Sequence, residues 1–147
     1  MQKNHRILIA DTKELRQKAF DIREEVFIIE QKVKHEEEFD EFEDTSRHIV
    51  VLDQEDRPIG AARWRETQKG IKLERFVVKK DLRDQGIGSD LVRFTLQDIK
   101  EQKGTGNYLY LHAQIEAVPL YRKFDFETKG DKFIECDIWH YYMFKEN

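Results

Sequence analysis

Cysteine is almost missing from this chain. The single Cys136 excludes an internal disulfide and suits a reducing compartment, so a cytoplasmic location is expected. Proline occurs twice and glycine seven times in 147 residues. Neither gathers into a low-complexity linker and no segment repeats, so residues 1–147 are expected to form one domain. Long hydrophobic runs are missing too. The longest amino-terminal apolar stretch, Ile7 to Ala10, is too short for a signal peptide or a membrane span. Positive charge is not in excess: 26 Lys and Arg stand against 30 Asp and Glu, and a formal net charge of −4 gives no general attraction to nucleic acid. No cysteine and histidine spacing points to a structural zinc, and no metal is expected.

What is present is enough for a core. Hydrophobic residues make up 39% and aromatics 12%, which argues against disorder despite 38% charged residues. His5 to Ala10 reads as a short strand. Lys13 to about Gln31 reads as a helix, with Leu15, Ala19, Ile22, Val26 and Ile29 on one face and Asp11 or Thr12 as its cap. Two antiparallel strands, Arg47 to Leu52 and Ile59 to Arg65, join around residues 53–56. Ile71 to Val78 is the longest strand, and Gly88 to Lys103 a helix with Leu91, Val92, Leu96 and Ile99 inward, stopped at Gly104. Tyr108 to His112 is a strand, Glu116 to Lys123 a short helix, and Ile134 to Met143 a closing strand. Strand–helix–strand units at each end and a meander between predict an α/β fold: one mixed, mostly antiparallel sheet flanked by helices.

The most informative stretch is LERFVVKKDLRDQGIGSDL, residues 73–91. An apolar strand feeds a charged turn, then Arg83-Asp84-Gln85-Gly86-Ile87-Gly88-Ser89, then a helix. A strand entering a glycine-bearing loop at a helix start builds an anion site. Free backbone N–H groups point outward there, the helix dipole favours negative charge, and glycine lets a ligand approach the backbone. A P-loop would need Gly-Lys-Ser/Thr, and here Gly88 is followed by Ser89-Asp90. A Rossmann fingerprint would need a third small residue where Leu91 stands.

The loop instead resembles Arg/Gln-x-x-Gly-x-Gly/Ala, the coenzyme A loop of the GNAT superfamily of N-acetyltransferases. Residues 111–126, LHAQIEAVPLYRKFDF, are similar to that superfamily's last strand and helix, with Pro119, Tyr121, Lys123 and Phe126 in place but Asp125 where glycine is usual. Residues 23–50 and the tail GDKFIECDIWHYYM resemble the ElaA-like branch. In the tail Gly130, Phe133, Glu135, Ile138, His140 and Met143 fit, while Asp137 and Trp139 replace the usual glycine and proline. The resemblance covers nearly the whole chain and implies a GNAT-like fold, acetyl-CoA as co-substrate and an amine acceptor. A homodimer is allowed; neither nucleic acid nor a membrane is an expected partner.

Acyl transfer from coenzyme A to an amine needs the phosphates held, the thioester carbonyl polarised, the amine deprotonated and the leaving thiolate protonated. The resemblance assigns the first to the loop Arg83 to Ser89, with Lys123 beside it. It implies that the strand before the loop splays from its neighbour, so that the backbone of Phe76, Val77 and Val78 pairs with the pantetheine arm. An N–H near Val78 would polarise the thioester. Tyr121 is the candidate general acid, because a phenol can protonate a thiolate. Glu74 is one candidate base. Strand alternation puts it on the face of Phe76 and Val78, and its alternative role is an ion pair with Arg63 or Arg65. His112 is the other candidate, and an ordered water could serve instead. Arg23, Glu30, Gln31, Gln114 and His140 are candidates to border the acceptor, though helix pairing, turn capping or strand tethering would explain them too.

Seven of the nine residues 36–44 are acidic, interrupted by Phe39 and Phe42, and read chiefly as a solvated loop. Cys136 is a poor nucleophile: no histidine is recognisable as its partner, and Glu135 and Asp137 would raise a thiol pKa. The functional expectation is direct transfer of acetyl from acetyl-CoA to a primary amine, with a small-molecule acceptor favoured. The alternatives are a non-catalytic acyl-CoA sensor and an acetyltransferase acting on protein lysines or amino termini.

Overall fold

A computed structural model describes residues 4–147. The elements run β1 (His5–Ile9), α1 (Lys13–Arg23), a π-helical segment (Glu24–Glu30), α2 (His35–Glu38), β2 (Arg47–Asp53), β3 (Pro58–Glu66), β4 (Ile71–Val78), α3 (Ile87–Lys103), β5 (Tyr108–Gln114), α4 (Val118–Arg122), β6 (Glu127–Glu135) and β7 (Ile138–Glu146). The strands form one seven-stranded sheet in the order β1-β2-β3-β4-β5-β7-β6. Among the described residues only β4 and β5 pair in parallel, and α3 is their crossover. This is the mixed α/β sheet expected from the strand and helix pattern.

Helices cover both faces of the sheet, and β2 shows why its sequence is a run of apolar residues rather than an alternation. Ile49 and Val51 join the core under α3 with Leu91, Val92 and Ile99. Val50 and Leu52 join the core under α1 with Ala19, Ile22 and Val26. Thr12 caps α1, its Oγ1 accepting from Leu15 N–H at 3.1 Å. Gly104 ends α3 with φ of 74°, a backbone that costs glycine nothing.

Four sequence expectations need correction. The first helix does not stay α-helical to Gln31. From Glu24 it widens, and Gln31 N–H reaches back five residues to Val26 C=O at 2.9 Å. The wider turn shifts the phase, so Ile29 is 60% exposed and Phe27 takes the inward place. In α3, Leu96 is only partly buried, while Thr95 and Asp98 lie inside. Thr95 is satisfied by Leu91 C=O, and Asp98 by Arg47 and the Trp64 indole. The short fourth helix begins as a 3₁₀ turn at Ile115–Ala117. Finally, the single closing strand is a hairpin: Cys136 and Asp137, at φ of 52° and 60°, turn the chain between β6 and β7.

Candidate active site

The pairing of β4 with β5 is short. It holds at Ile71 with Leu109, Lys72 with Tyr110 and Leu73 with Leu111, and then stops. Beyond Leu73 both strands continue, to Val78 and Gln114, without pairing to each other. The parting begins at a bulge. Arg75 has φ of 62°, and the register with β3 passes from Arg63 opposite Glu74 to Ala61 opposite Val77, one residue more on β4. Past the bulge, Lys79 N–H bonds Ile59 C=O on the β3 side at 2.8 Å. Alternation therefore turns the peptide groups of Phe76 and Val78 toward the gap.

The bulge also corrects the expectation for Glu74. One extra residue reverses the alternation, so Phe76 and Val78 pack with the core under α3. Glu74 lies across the sheet with Arg63 and Val77. Its carboxylate meets Arg65 at 2.7 Å, Arg63 at 3.1 Å and Lys72 at 3.3 Å. Burial alone would raise its pKa, but Arg63, Arg65 and Lys72 together hold it at about 2. A carboxylate that weakly basic is a structural anion, a poor proton acceptor near neutral pH.

At the end of β4 the glycine loop stands as the sequence indicates. Gly86 caps α3 with φ of 88°, and the first intrahelical bond runs from Asp90 N–H to Gly86 C=O at 3.1 Å. The N–H groups of Ile87, Gly88 and Ser89 thus have no acceptor within the helix. Asp84 and Gln85 are exposed in the loop, as is Lys123 at the end of α4, away from the cleft lining. Arg83 is part-buried and engaged by the protein itself. Its guanidinium makes two 2.6 Å bonds to Glu30, and its Nε donates to Val78 C=O at 2.9 Å. It ties the loop to the π-helical segment and leaves Val78 N–H on the open edge.

The gap between the strands opens into a cleft of about 360 Å³. Tyr121 lines it, 6% exposed, edge-on to Phe76 at 5.8 Å. Its hydroxyl has no hydrogen bond among the described residues, and burial raises its pKa, which keeps the phenol protonated. Gln31 and Gln114 exchange amide hydrogen bonds of 2.9 and 3.4 Å across the cleft. His112 faces Glu135 at 3.2 Å, and His140 Nε2 lies 3.9 Å from the same carboxylate. Cys136 also lines the cleft, its thiol pushed up to about 12 by burial and by Glu37.

Arg23 does not line the cleft. It is fully buried and binds Glu38 at 2.8 Å and Glu43 at 2.8 Å, stacked on Phe39 at 4.8 Å. The acidic run is therefore not simply a solvated loop. Glu36, Glu41 and Asp44 face outward and Glu37 is exposed at the edge of the cleft, while Glu38, Asp40 and Glu43 turn in to meet Arg23, Arg63 and Arg75. Phe42 lies under Arg65, whose guanidinium carbon is 3.8 Å from the ring centre. Sequence reasoning missed this network, and it missed Glu135 because the turn at Cys136 was not recognised. Asp137, standing where glycine is usual in the resembled branch, was the available signal.

Comparison with known proteins agrees with this geometry. The model of the GNAT acetyltransferase domain matches residues 11–147. The uncharacterized N-acetyltransferase YjcF of Bacillus subtilis is 41% identical over 140 residues, covering 95% of this chain and 98% of that one. The fold superposes on Escherichia coli ElaA with a TM-score of 0.84 at 23% identity, over 97% of this chain and 98% of that one. It also superposes on an aminoglycoside 6'-N-acetyltransferase complexed with coenzyme A, with a TM-score of 0.73 at 16% identity and 96% coverage of both. The family match, and not the parted sheet by itself, defines the class as an acetyltransferase. The chain belongs to the GNAT acetyltransferase family, and it is an acetyltransferase of that type.

Proposed function

We propose that the protein moves an acetyl group from acetyl-CoA to a primary amine by direct attack, and that the acceptor is a small molecule. The carrying observation is the parting of β4 from β5 after Leu73, at the same end as the unpaired N–H groups of α3. The pantetheine arm would lie in the gap as an added strand against Phe76, Val77 and Val78. The pyrophosphate would rest on the amides of Ile87, Gly88 and Ser89. Val78 N–H would bind the thioester oxygen as negative charge develops there, and Tyr121 would protonate the leaving thiolate.

Two features support direct transfer to a compact amine. Cys136, with its pKa at about 12, is almost never a thiolate near neutral pH. The cleft lining includes Glu37, Glu38 and, from the β6–β7 hairpin, Glu135, Cys136, Ile138 and His140, which would narrow the space left for an acceptor. The test is release of free thiol from acetyl-CoA across a panel of small primary amines, with the acetylated product identified by mass. Transfer to a small amine supports the proposal. Transfer only to peptide lysines or amino termini would replace the acceptor class, and binding of acetyl-CoA without any transfer would make the protein a sensor.

A further inference from the structure

The β6–β7 hairpin brings one carboxylate, Glu135, between two imidazoles. His112 Nδ1 lies 3.2 and 3.4 Å from the two Glu135 oxygens. A carboxylate near neutral pH only accepts, and the His112 bond lowers the Glu135 pKa further, so the proton of this bond is on His112 Nδ1. A neutral His112 then has its lone pair on Nε2. That atom makes no hydrogen bond among the described residues, and the ring lines the cleft. Its position is held by stacking: Phe133 edge-on at 5.2 Å, Tyr142 at 5.8 Å and Tyr110 at 6.5 Å. His140 is fixed differently. Its Nδ1 lies 2.7 Å from Ile138 C=O, an acceptor, so Nδ1 again carries the proton. Lys72 adds positive charge near Glu135.

We propose that His112 Nε2 is the atom that takes the proton from the acceptor amine, and that Glu135 is the positioning residue that sets its tautomer. The inference rests on the reading of this cleft as the site of amine acetylation. The incoming ammonium gives one proton to Nε2 and attacks as the free amine. The new N–C bond forms, the C–S bond breaks, and the thiolate takes the Tyr121 phenol proton. The second nitrogen proton restores the phenol, and His112 releases its proton to water. Glu135 never leaves its ionised state. Half-exposed in the hairpin, it holds Nδ1–H and stabilises the imidazolium, as a carboxylate does behind a base imidazole.

The test has an arm that needs no turnover. Long-range nitrogen–proton NMR of histidine-labelled protein should show neutral His112 as the Nδ1–H form. That preference should be lost in Glu135→Ala and kept in Glu135→Gln, whose amide oxygen still accepts. An Nε2–H form in the wild type, or no change in Glu135→Ala, overturns the proposal. In steady-state kinetics, His112→Gln should lower kcat by about 10²–10⁴-fold while the KM for acetyl-CoA is unchanged. Adding Glu135→Ala to His112→Gln should cost nothing further, because Glu135 acts through His112. Independent, multiplying losses refute the positioning role. A wild type that transfers to no amine removes the parent reading and the base role together, whatever the tautomer.

Discussion

Replacing Tyr121 by Phe separates chemistry from packing, because the structure gives the hydroxyl almost nothing to do for stability. The ring contributes the contacts: edge-on to Phe76 at 5.8 Å and to Phe126 at 6.1 Å, and 6% exposed. The oxygen has no hydrogen-bond partner among the described residues, so its removal strands no donor or acceptor. A typical protein hydrogen bond contributes about 1 kcal/mol, and none is lost here, so the stability change should be smaller than that. In a domain of this size 1 kcal/mol moves the melting temperature by about 2–4 °C, and the variant should melt within that range of the wild type. If the phenol protonates the thiolate, kcat should fall by about 10²–10⁴-fold. That corresponds to about 3–5 kcal/mol in the barrier, several times any packing loss. The raised phenol pKa does not oppose the role. The same burial disfavours a thiolate in the cleft and raises its proton affinity too. The assay is steady-state turnover on the best amine, with calorimetric affinity for acetyl-CoA and a melt for each variant. Equal turnover would remove Tyr121 from the chemistry. A lost fold or lost affinity would show that the hydroxyl does structural work that the contacts do not reveal.

Gly88→Val should keep the fold and weaken acetyl-CoA binding, measured by calorimetry, since a Cβ there meets only Leu120 at 3.5 Å while the side chain crowds the phosphate approach. Gly86→Val should also destabilise by about 1–2 kcal/mol in denaturant melts, because φ of 88° suits no β-branched residue. Arg63→Met should cost about 3–5 kcal/mol in the same melts, because it leaves Asp40, Glu43 and Glu74 buried without their shared cation. Asp40 and Glu74 are both held at about 2 in the fold, below their ordinary values. Their contribution is therefore present above the ordinary carboxylate range and is lost as pH falls toward 2, which an acid titration of stability should show. Glu38 has the opposite sign. Burial outweighs its contacts with Arg23 and Arg75 and raises it to about 7, so the fold binds the extra proton and stability falls as pH rises from the ordinary glutamate range toward 7. Glu38→Gln should flatten that stretch of the curve.

What could be read from the sequence was whatever depends on local pattern. Thr12, Gly104 and the run Arg47 to Leu52 announce a cap, a stop and a strand. The loop from Arg83 to Ser89 was visible because glycine spacing and a following helix are local too. What stayed hidden depends on backbone states that non-glycine residues rarely adopt. Arg75, Cys136 and Asp137 all sit at positive φ. The first reverses the face of Glu74, and the other two make the hairpin that brings Glu135 to His112. The buried ion network was hidden for another reason. Glu38, Asp40 and Glu43 look like solvated acids until Arg23, Arg63 and Arg75 arrive from other elements to neutralise them.

The central claim is that the gap between β4 and β5, with the amides of α3 at its end, holds acetyl-CoA. A thermal melt with and without acetyl-CoA tests it most directly, because a ligand that binds only the folded state raises stability by mass action. At a hundredfold excess over its dissociation constant the gain is about 2.7 kcal/mol, or about 5–10 °C for a domain of this size, and Gly88→Val should lose most of it. No shift with saturating acetyl-CoA, or an equal shift in Gly88→Val, would contradict the account.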